Sequence, residues 1–181
     1  PMAENSVSGN SMRPGDIYTS SSGKKIEISH TDAEGRLLLA DAIELANTYH
    51  PSLIIDFATL TGAARVALGE DIPAYFSNDE DIAKKIDTLN QKKIRTWRLP
   101  LYAPYKNKLN SQFANLCNAS LDGMAGSITA ALFIEDFIEN KKTPWIHFDT
   151  YGWSSGSILK TQGAALQGLD IMIEYLNKYF S

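Results

Sequence analysis

Leu53-Ile54-Ile55-Asp56-Phe57-Ala58 is a nearly continuous β-prone apolar run, set between Pro51 and the small-residue turn Thr59-Leu60-Thr61-Gly62-Ala63-Ala64. A strand without polar alternation suits cover on both faces, as in a parallel sheet. Just upstream, Leu38, Ala42, Leu45 and Ala46 recur at helical spacing with Asp41 and Glu44 on the other side, which predicts an amphipathic helix from Leu37 to Ala46. Helix and buried strand in alternation predict an α/β fold, with a mixed, largely parallel sheet sandwiched between helices.

The remaining elements fit that plan. Turns at Arg13-Pro14-Gly15-Asp16 and Ser20-Ser21-Ser22-Gly23 flank Ile17-Tyr18-Thr19 and precede Lys25-Ile26-Glu27-Ile28, a hairpin pattern. Ala74-Tyr75-Phe76-Ser77 is a short strand, and Asp79 caps a helix running to about Lys92 with Ile82, Ile86 and Leu89 inward. Residues 97–105 read as an irregular aromatic path. Ser127 to Ile138 is a second strong helix, with Met124-Ala125-Gly126 letting its start pack closely against a neighbour. Pro144 to Asp149 is a buried strand, and Leu166 to Phe180 is a last helix with Leu169, Met172, Ile173 and Leu176 inward.

With 181 residues and 44% hydrophobic content, the chain can bury one sizeable core, so a single domain is expected. The net charge of −4, with 17 basic and 21 acidic side chains intermixed, argues against nucleic acid or a membrane surface as partner. No apolar run approaches the roughly 20 residues a membrane helix needs. The single cysteine, Cys117, cannot form an internal disulfide, and a reducing, cytoplasmic setting is expected. Pro1 and the polar, loop-like residues up to Asn10 suggest a piece of a longer chain.

The chemistry-bearing stretch is Asp32-Ala33-Glu34-Gly35-Arg36, between the hairpin and the first helix. Two carboxylates two positions apart in a strand-to-helix connection need not diverge, so both can reach one cation. Hard oxygen ligands suit zinc, manganese or magnesium, and paired ions activate water and clamp a developing oxyanion. Arg36 could then hold an anion. The same residues also fit a capping box, with Thr31 as N-cap and Glu34 reaching back, and both readings stand on the sequence alone. His30 is expected to be a hydrogen-bonded structural group, His147 a satisfied core residue and His50 a helix-end residue. Cys117 is expected to be a buried thiol, Trp145 a core and Trp153 a rim aromatic. Thr61-Gly62-Ala63 lacks the lysine and glycine spacing of a phosphate-binding loop.

Thr31-Asp32-Ala33-Glu34-Gly35-Arg36-Leu37 closely resembles the signature of the leucyl (cytosol) aminopeptidase family. Met2-Ala3-Glu4-Asn5, Ser8-Gly9-Asn10, Arg13-Pro14-Gly15-Asp16, Asp56 through Ala63 and Ala67-Leu68-Gly69 resemble further family segments in the same order. The resemblance implies a zinc-exopeptidase-like three-layer domain of which residues 1–181 are an incomplete, C-terminal portion. It implies a two-metal exopeptidase, with zinc or manganese, that removes leucine-type N-terminal residues from peptides and assembles as a hexamer. Asp32 would bind one metal, Glu34 would bridge both, and Arg36 would be catalytic, holding a bicarbonate. Thr59, Leu60 and Gly62 match substrate-contacting positions, and Ala125 and Ile128 match two further pocket positions. His30 stands where the family has asparagine. The family's other metal ligands, a lysine and two aspartates, and a second catalytic lysine would lie upstream of Pro1, so the isolated chain is expected to turn over little peptide. The alternative is a non-catalytic oligomerisation or binding module that keeps the aminopeptidase fold.

Overall fold

The computed structural model describes residues 1–2, 6–91, 93–139, 142–156 and 161–180. Ala3-Glu4-Asn5, part of one resembling segment, and Lys92, the expected end of a helix, lie outside these residues. The hairpin pairs β1 (Ile17–Thr19) with β2 (Lys25–Glu27), and β6 (Leu116–Cys117) joins β2 in parallel to complete a small sheet. The central sheet has the order β3-β7-β4-β5, formed by β3 (Ile54–Ala58), β7 (Trp145–Asp149), β4 (Ala74–Ser77) and β5 (Trp97–Arg98). It is mixed: β3 with β7 and β4 with β5 are parallel, and β4 with β7 is antiparallel. A short antiparallel pair, β8 (Trp153–Ser154) and β9 (Gly163–Ala164), lies beyond it.

Alternation along the central strands sorts their side chains onto two helical layers. Trp145 and Phe76 face α1 (Gly35–Asn47) and α4 (Gly126–Glu135), in a core with Leu39, Ile43, Leu132 and Phe133. Ile146, Phe148 and Tyr75 face α3 (Glu80–Asn90) and α5 (Leu169–Tyr179), in a core with Ile86 and Met172. Each such large apolar side chain contributes roughly 1.5–3 kcal/mol by leaving water. The three-layer arrangement expected from the sequence is therefore present. Asp79 caps α3 by accepting from the Ile82 amide at 2.9 Å. Gly126 sits where an added Cβ would lie 3.3 Å from Ala63 Cβ, the close packing expected at the start of α4. Among the described residues, no helix is long and apolar enough to cross a membrane.

Several local expectations give way. The fully covered strand is β7, buried at all five positions, whereas β3 leaves Phe57 exposed and, among the described residues, pairs with β7 alone. An apolar run records hydrophobicity, not whether both faces of the strand find a covering layer. Helix α1 buries Arg36, Leu39, Ala40, Ile43 and Asn47, and leaves Leu45 exposed. Its buried face ends in two polar residues whose partners are distant: Asn47 Nδ2 donates to the Phe137 carbonyl at 2.8 Å, and Arg36 Nη1 donates to that of Asn118. Helix α5 buries Ile171, Met172 and Tyr175 instead of Ile173 and Leu176. Its start is set by Gly168, at φ 83° against the Phe148 ring, which turns that face inward. Residues 97–98 form β5 where an irregular path was expected. A six-residue helix, α2 (Ala63–Leu68), begins inside the expected turn.

The capping box is also corrected. Residues Thr31–Ala33 form a 3-10 turn whose cap is His30, with Nδ1 accepting from the Asp32 amide at 3.2 Å, and Glu34 makes no side-chain cap bond. A carboxylate reaching back has no role here, because the turn begins one residue earlier.

Candidate functional site

The 3-10 turn delivers Asp32 to the surface and carries the chain directly into α1, so Glu34, Gly35 and Arg36 follow within one helical turn. A cavity of about 360 Å³ opens at this junction, and its walls include Asp32, Glu34, Arg36, Thr59 and Leu60. Five of the eight singled-out residues thus share one space, although Thr59 and Leu60 come from the far end of β3. Gly62, Ala125 and Ile128 do not line it; Gly62 and Ala125 adjoin the point where α2 and the start of α4 touch, at Ala63 and Gly126, and Ile128 packs on the same core as Leu60.

The two carboxylates differ in surroundings. Asp32 is exposed, whereas Glu34 is half-buried with Oε2 shielded from solvent and without a hydrogen-bond partner among the described residues. A shielded carboxylate oxygen left unpaired is costly, and a cation is one way to satisfy it. That orphaned atom, beside a second carboxylate in the same cavity, fits a divalent metal. Among the described residues, no group of three or more His, Cys, Asp or Glu side chains is placed to hold a metal ion. The pair is therefore a partial donor set within these residues.

Arg36 is buried, with Nη1 donating to the Asn118 carbonyl at 2.5 Å and its guanidinium 5.8 Å from the Phe133 ring centre. Burial pulls its pKa down to about 10, against the opposing charge of Asp149, so it remains a cation at neutral pH. A fixed positive charge facing a cavity with two carboxylates can hold an anion or offset developing negative charge.

His30 clarifies the departure from the asparagine of the resembling signature. Its Nδ1 accepts from the amide two residues on, the bond an asparagine side chain makes in an Asx turn. His147 meets its expectation in part. It is fully buried between the Phe76 and Trp145 rings, with Nδ1 2.5 Å from Asp56 Oδ1, but Nε2 has no partner. Cys117 is buried as expected, its pKa raised by burial and then by Glu27. Trp145 is core and Trp153 half-exposed, as expected.

One residue with a clear structural part went unnoticed in the sequence. Asp149, at the end of β7, accepts from the Thr61 amide at 3.0 Å, from Thr61 Oγ1 at 2.5 Å and from Ser127 Oγ at 2.7 Å. It pins the 59–62 segment to α4, the two places where pocket residues were expected. No sequence signal points to it, since its partners lie 88 and 22 positions away.

Comparison with known proteins agrees with the fold and with the signature. A family model described as the cytosol aminopeptidase family, catalytic domain, matches residues 1–173. The "Probable cytosol aminopeptidase" of Legionella pneumophila (strain Corby) is 45% identical over 177 residues, covering 96% of this chain and 36% of that protein. The protein of the same description from Buchnera aphidicola subsp. Schizaphis graminum is 43% identical over 176 residues, covering 96% and 34%. The chain thus spans about a third of the length of the curated relatives it matches. The crystal structure of a cytosol aminopeptidase from Coxiella burnetii superposes with a TM-score of 0.92 at 43% identity, covering 98% of this chain and 39% of the other. A tomato leucine aminopeptidase mutant superposes with a TM-score of 0.85 at 38% identity, covering 97% and 34%.

Proposed function

The chain belongs to the cytosol aminopeptidase family, and on that premise we propose that it is the C-terminal portion of a metal-dependent aminopeptidase catalytic domain. The whole protein would remove leucine-type N-terminal residues from peptides. The observation that carries this reading is the shielded Glu34 Oε2, without a partner among the described residues, in one cavity with Asp32, Arg36, Thr59 and Leu60.

Asp32 and Glu34 would supply carboxylate ligands to divalent ions, zinc or manganese. When bound, such ions supply an activated water and neutralise charge on the scissile carbonyl. Arg36, tethered through Nη1 to the Asn118 carbonyl, keeps its remaining donors for an anion, and a bicarbonate there could accept and return a proton. Thr59, Leu60 and Gly62 would hold the substrate, with Ala125 and Ile128 closing its side-chain pocket. Asp149 keeps those two walls in register.

Two carboxylates cannot saturate two cations, so the 181-residue chain alone is expected to bind metal weakly and to turn over little or no peptide. A cytoplasmic setting is the reading that a single, buried Cys117 favours. The test is hydrolysis of leucine p-nitroanilide with added manganese or zinc, by this chain and by the longer protein that contains it. Metal-dependent turnover is expected from the longer protein, abolished there by Glu34→Gln. Robust turnover by the chain alone would overturn the incomplete-shell argument, and full activity in the Glu34→Gln protein would overturn the metal role.

A further inference from the structure

We propose that Asn118 is the positioning residue of the Asp32–Arg36 segment, an inference that rests on the metal-binding reading above. Asn118 follows β6 directly, and the parallel register of Ile26 with Leu116 and Glu27 with Cys117 carries it under the turn that leaves β2. Its own amide donates to the Glu27 carbonyl at 2.9 Å, so its backbone is an extension of the small sheet. The side chain is fully buried.

From there it grips the segment on both sides. Oδ1 accepts from the Ser29 amide at 2.8 Å, from Ser29 Oγ at 3.1 Å and from the His30 amide at 3.0 Å. Nδ2 donates to the His30 carbonyl at 2.7 Å and to the Ala33 carbonyl at 3.4 Å. The main-chain carbonyl accepts from Arg36 Nη1. A carboxamide offers two donors and a bifurcating acceptor, and here every one is spent on residues 29–33.

The segment needs such a grip. Asp32 and Glu34 stand on a three-residue 3-10 turn and the first residue after it, not on regular secondary structure. Such a turn has few backbone bonds of its own and loosens readily. A shielded Glu34 oxygen without a partner would escape to solvent if that backbone could relax. Asn118 does not line the cavity, so it acts on a bound cation only through the residues it holds, its side chain through the turn and its carbonyl through Arg36. The chemistry also selects asparagine. Aspartate would keep the acceptor for Ser29 and His30 but set a carboxylate oxygen against the His30 and Ala33 carbonyls. Alanine would lose both functions.

The test uses the 181-residue chain, with amide hydrogen exchange and manganese-induced broadening of its NMR signals. In Asn118→Ala, exchange at Ser29 and His30 is expected to rise about tenfold while the α3 amides stay unchanged, and manganese affinity at Asp32 and Glu34 is expected to fall roughly fivefold or more. Asn118→Asp, of the same shape, carries the test if the alanine variant does not fold, with a loss of affinity in the same direction. A folded Asn118→Ala variant with wild-type exchange at Ser29 and His30, or a folded Asn118→Asp variant with wild-type manganese affinity, would overturn the proposal. So would a variant that melts at lower temperature but binds manganese as tightly as wild type where both are folded. If the wild-type chain shows no broadening centred on Asp32 and Glu34, the same titration is run on the longer protein, where no effect of Glu34→Gln on manganese binding would overturn the metal-binding reading, and the exchange at Ser29 and His30 separately decides whether Asn118 holds the turn.

Discussion

Removing the carboxylate of Asp149 should loosen the expected substrate pocket and the fold together. Asp149 is almost fully buried and accepts three hydrogen bonds, two from Thr61 and one from the buried Ser127 hydroxyl. Bonds to a charged acceptor contribute more than neutral ones, and truncation strands the donors, so Asp149→Ala should cost about 3–4 kcal/mol. Asp149→Asn keeps an acceptor for the Thr61 amide and lets both hydroxyls reorient, so it should cost only about 1–2 kcal/mol. Asp149 also opposes the burial that lowers the Arg36 pKa, so either change should lower that pKa further. Urea unfolding of the three proteins, with unchanged slopes, gives the comparison directly. An alanine variant within about 1 kcal/mol of wild type, or an asparagine variant as costly as alanine, would refute the reasoning.

Gly168→Ala would place a Cβ 2.7 Å from two atoms of the buried Phe148 ring at a φ of 83°, and should destabilise by about 3 kcal/mol or more in the same unfolding assay. His30→Ala should cost about 1 kcal/mol by removing the cap on the Asp32 amide, whereas His30→Asn should stay within about 0.5 kcal/mol of wild type; equal losses would mean that the cap is unimportant. For His147, burial works to lower the pKa, but the charge and hydrogen bond of Asp56 prevail and raise it. Its proton therefore stabilises the fold fully below the ordinary histidine value of about 6.5, and that contribution is lost as pH climbs through the raised native value. The urea midpoint should fall over that window in wild type and respond less to pH in His147→Gln.

Local signals in the sequence located most elements. The apolar runs at 54–58 and 145–149 are strands, and Asp79 with Ile82, Ile86 and Leu89 marks α3 because cap and face lie within a few residues. The inward face of α1 was not legible, since Arg36 and Asn47 are buried through carbonyls of Asn118 and Phe137, 82 and 90 positions away. The site divides in the same manner. Asp32, Glu34 and Arg36 announce themselves as a motif, and the structure brings them together with Thr59 and Leu60. The residues that hold these pieces in place, Asn118 and Asp149, are ordinary in sequence and acquire their roles only through contacts made by folding. Whether a helix cap or a ligand pair explains Asp32 and Glu34 could not be read from spacing. The structure gives the cap to His30 and leaves a Glu34 oxygen unpartnered.

That oxygen is where the account is most exposed to test. Electron paramagnetic resonance of free manganese, titrated into the wild-type chain and Glu34→Gln, counts bound ion without requiring turnover. Wild type should bind saturably, with affinity falling roughly tenfold or more when the carboxylate becomes an amide of the same shape. Coincident titration curves for the two proteins would contradict it.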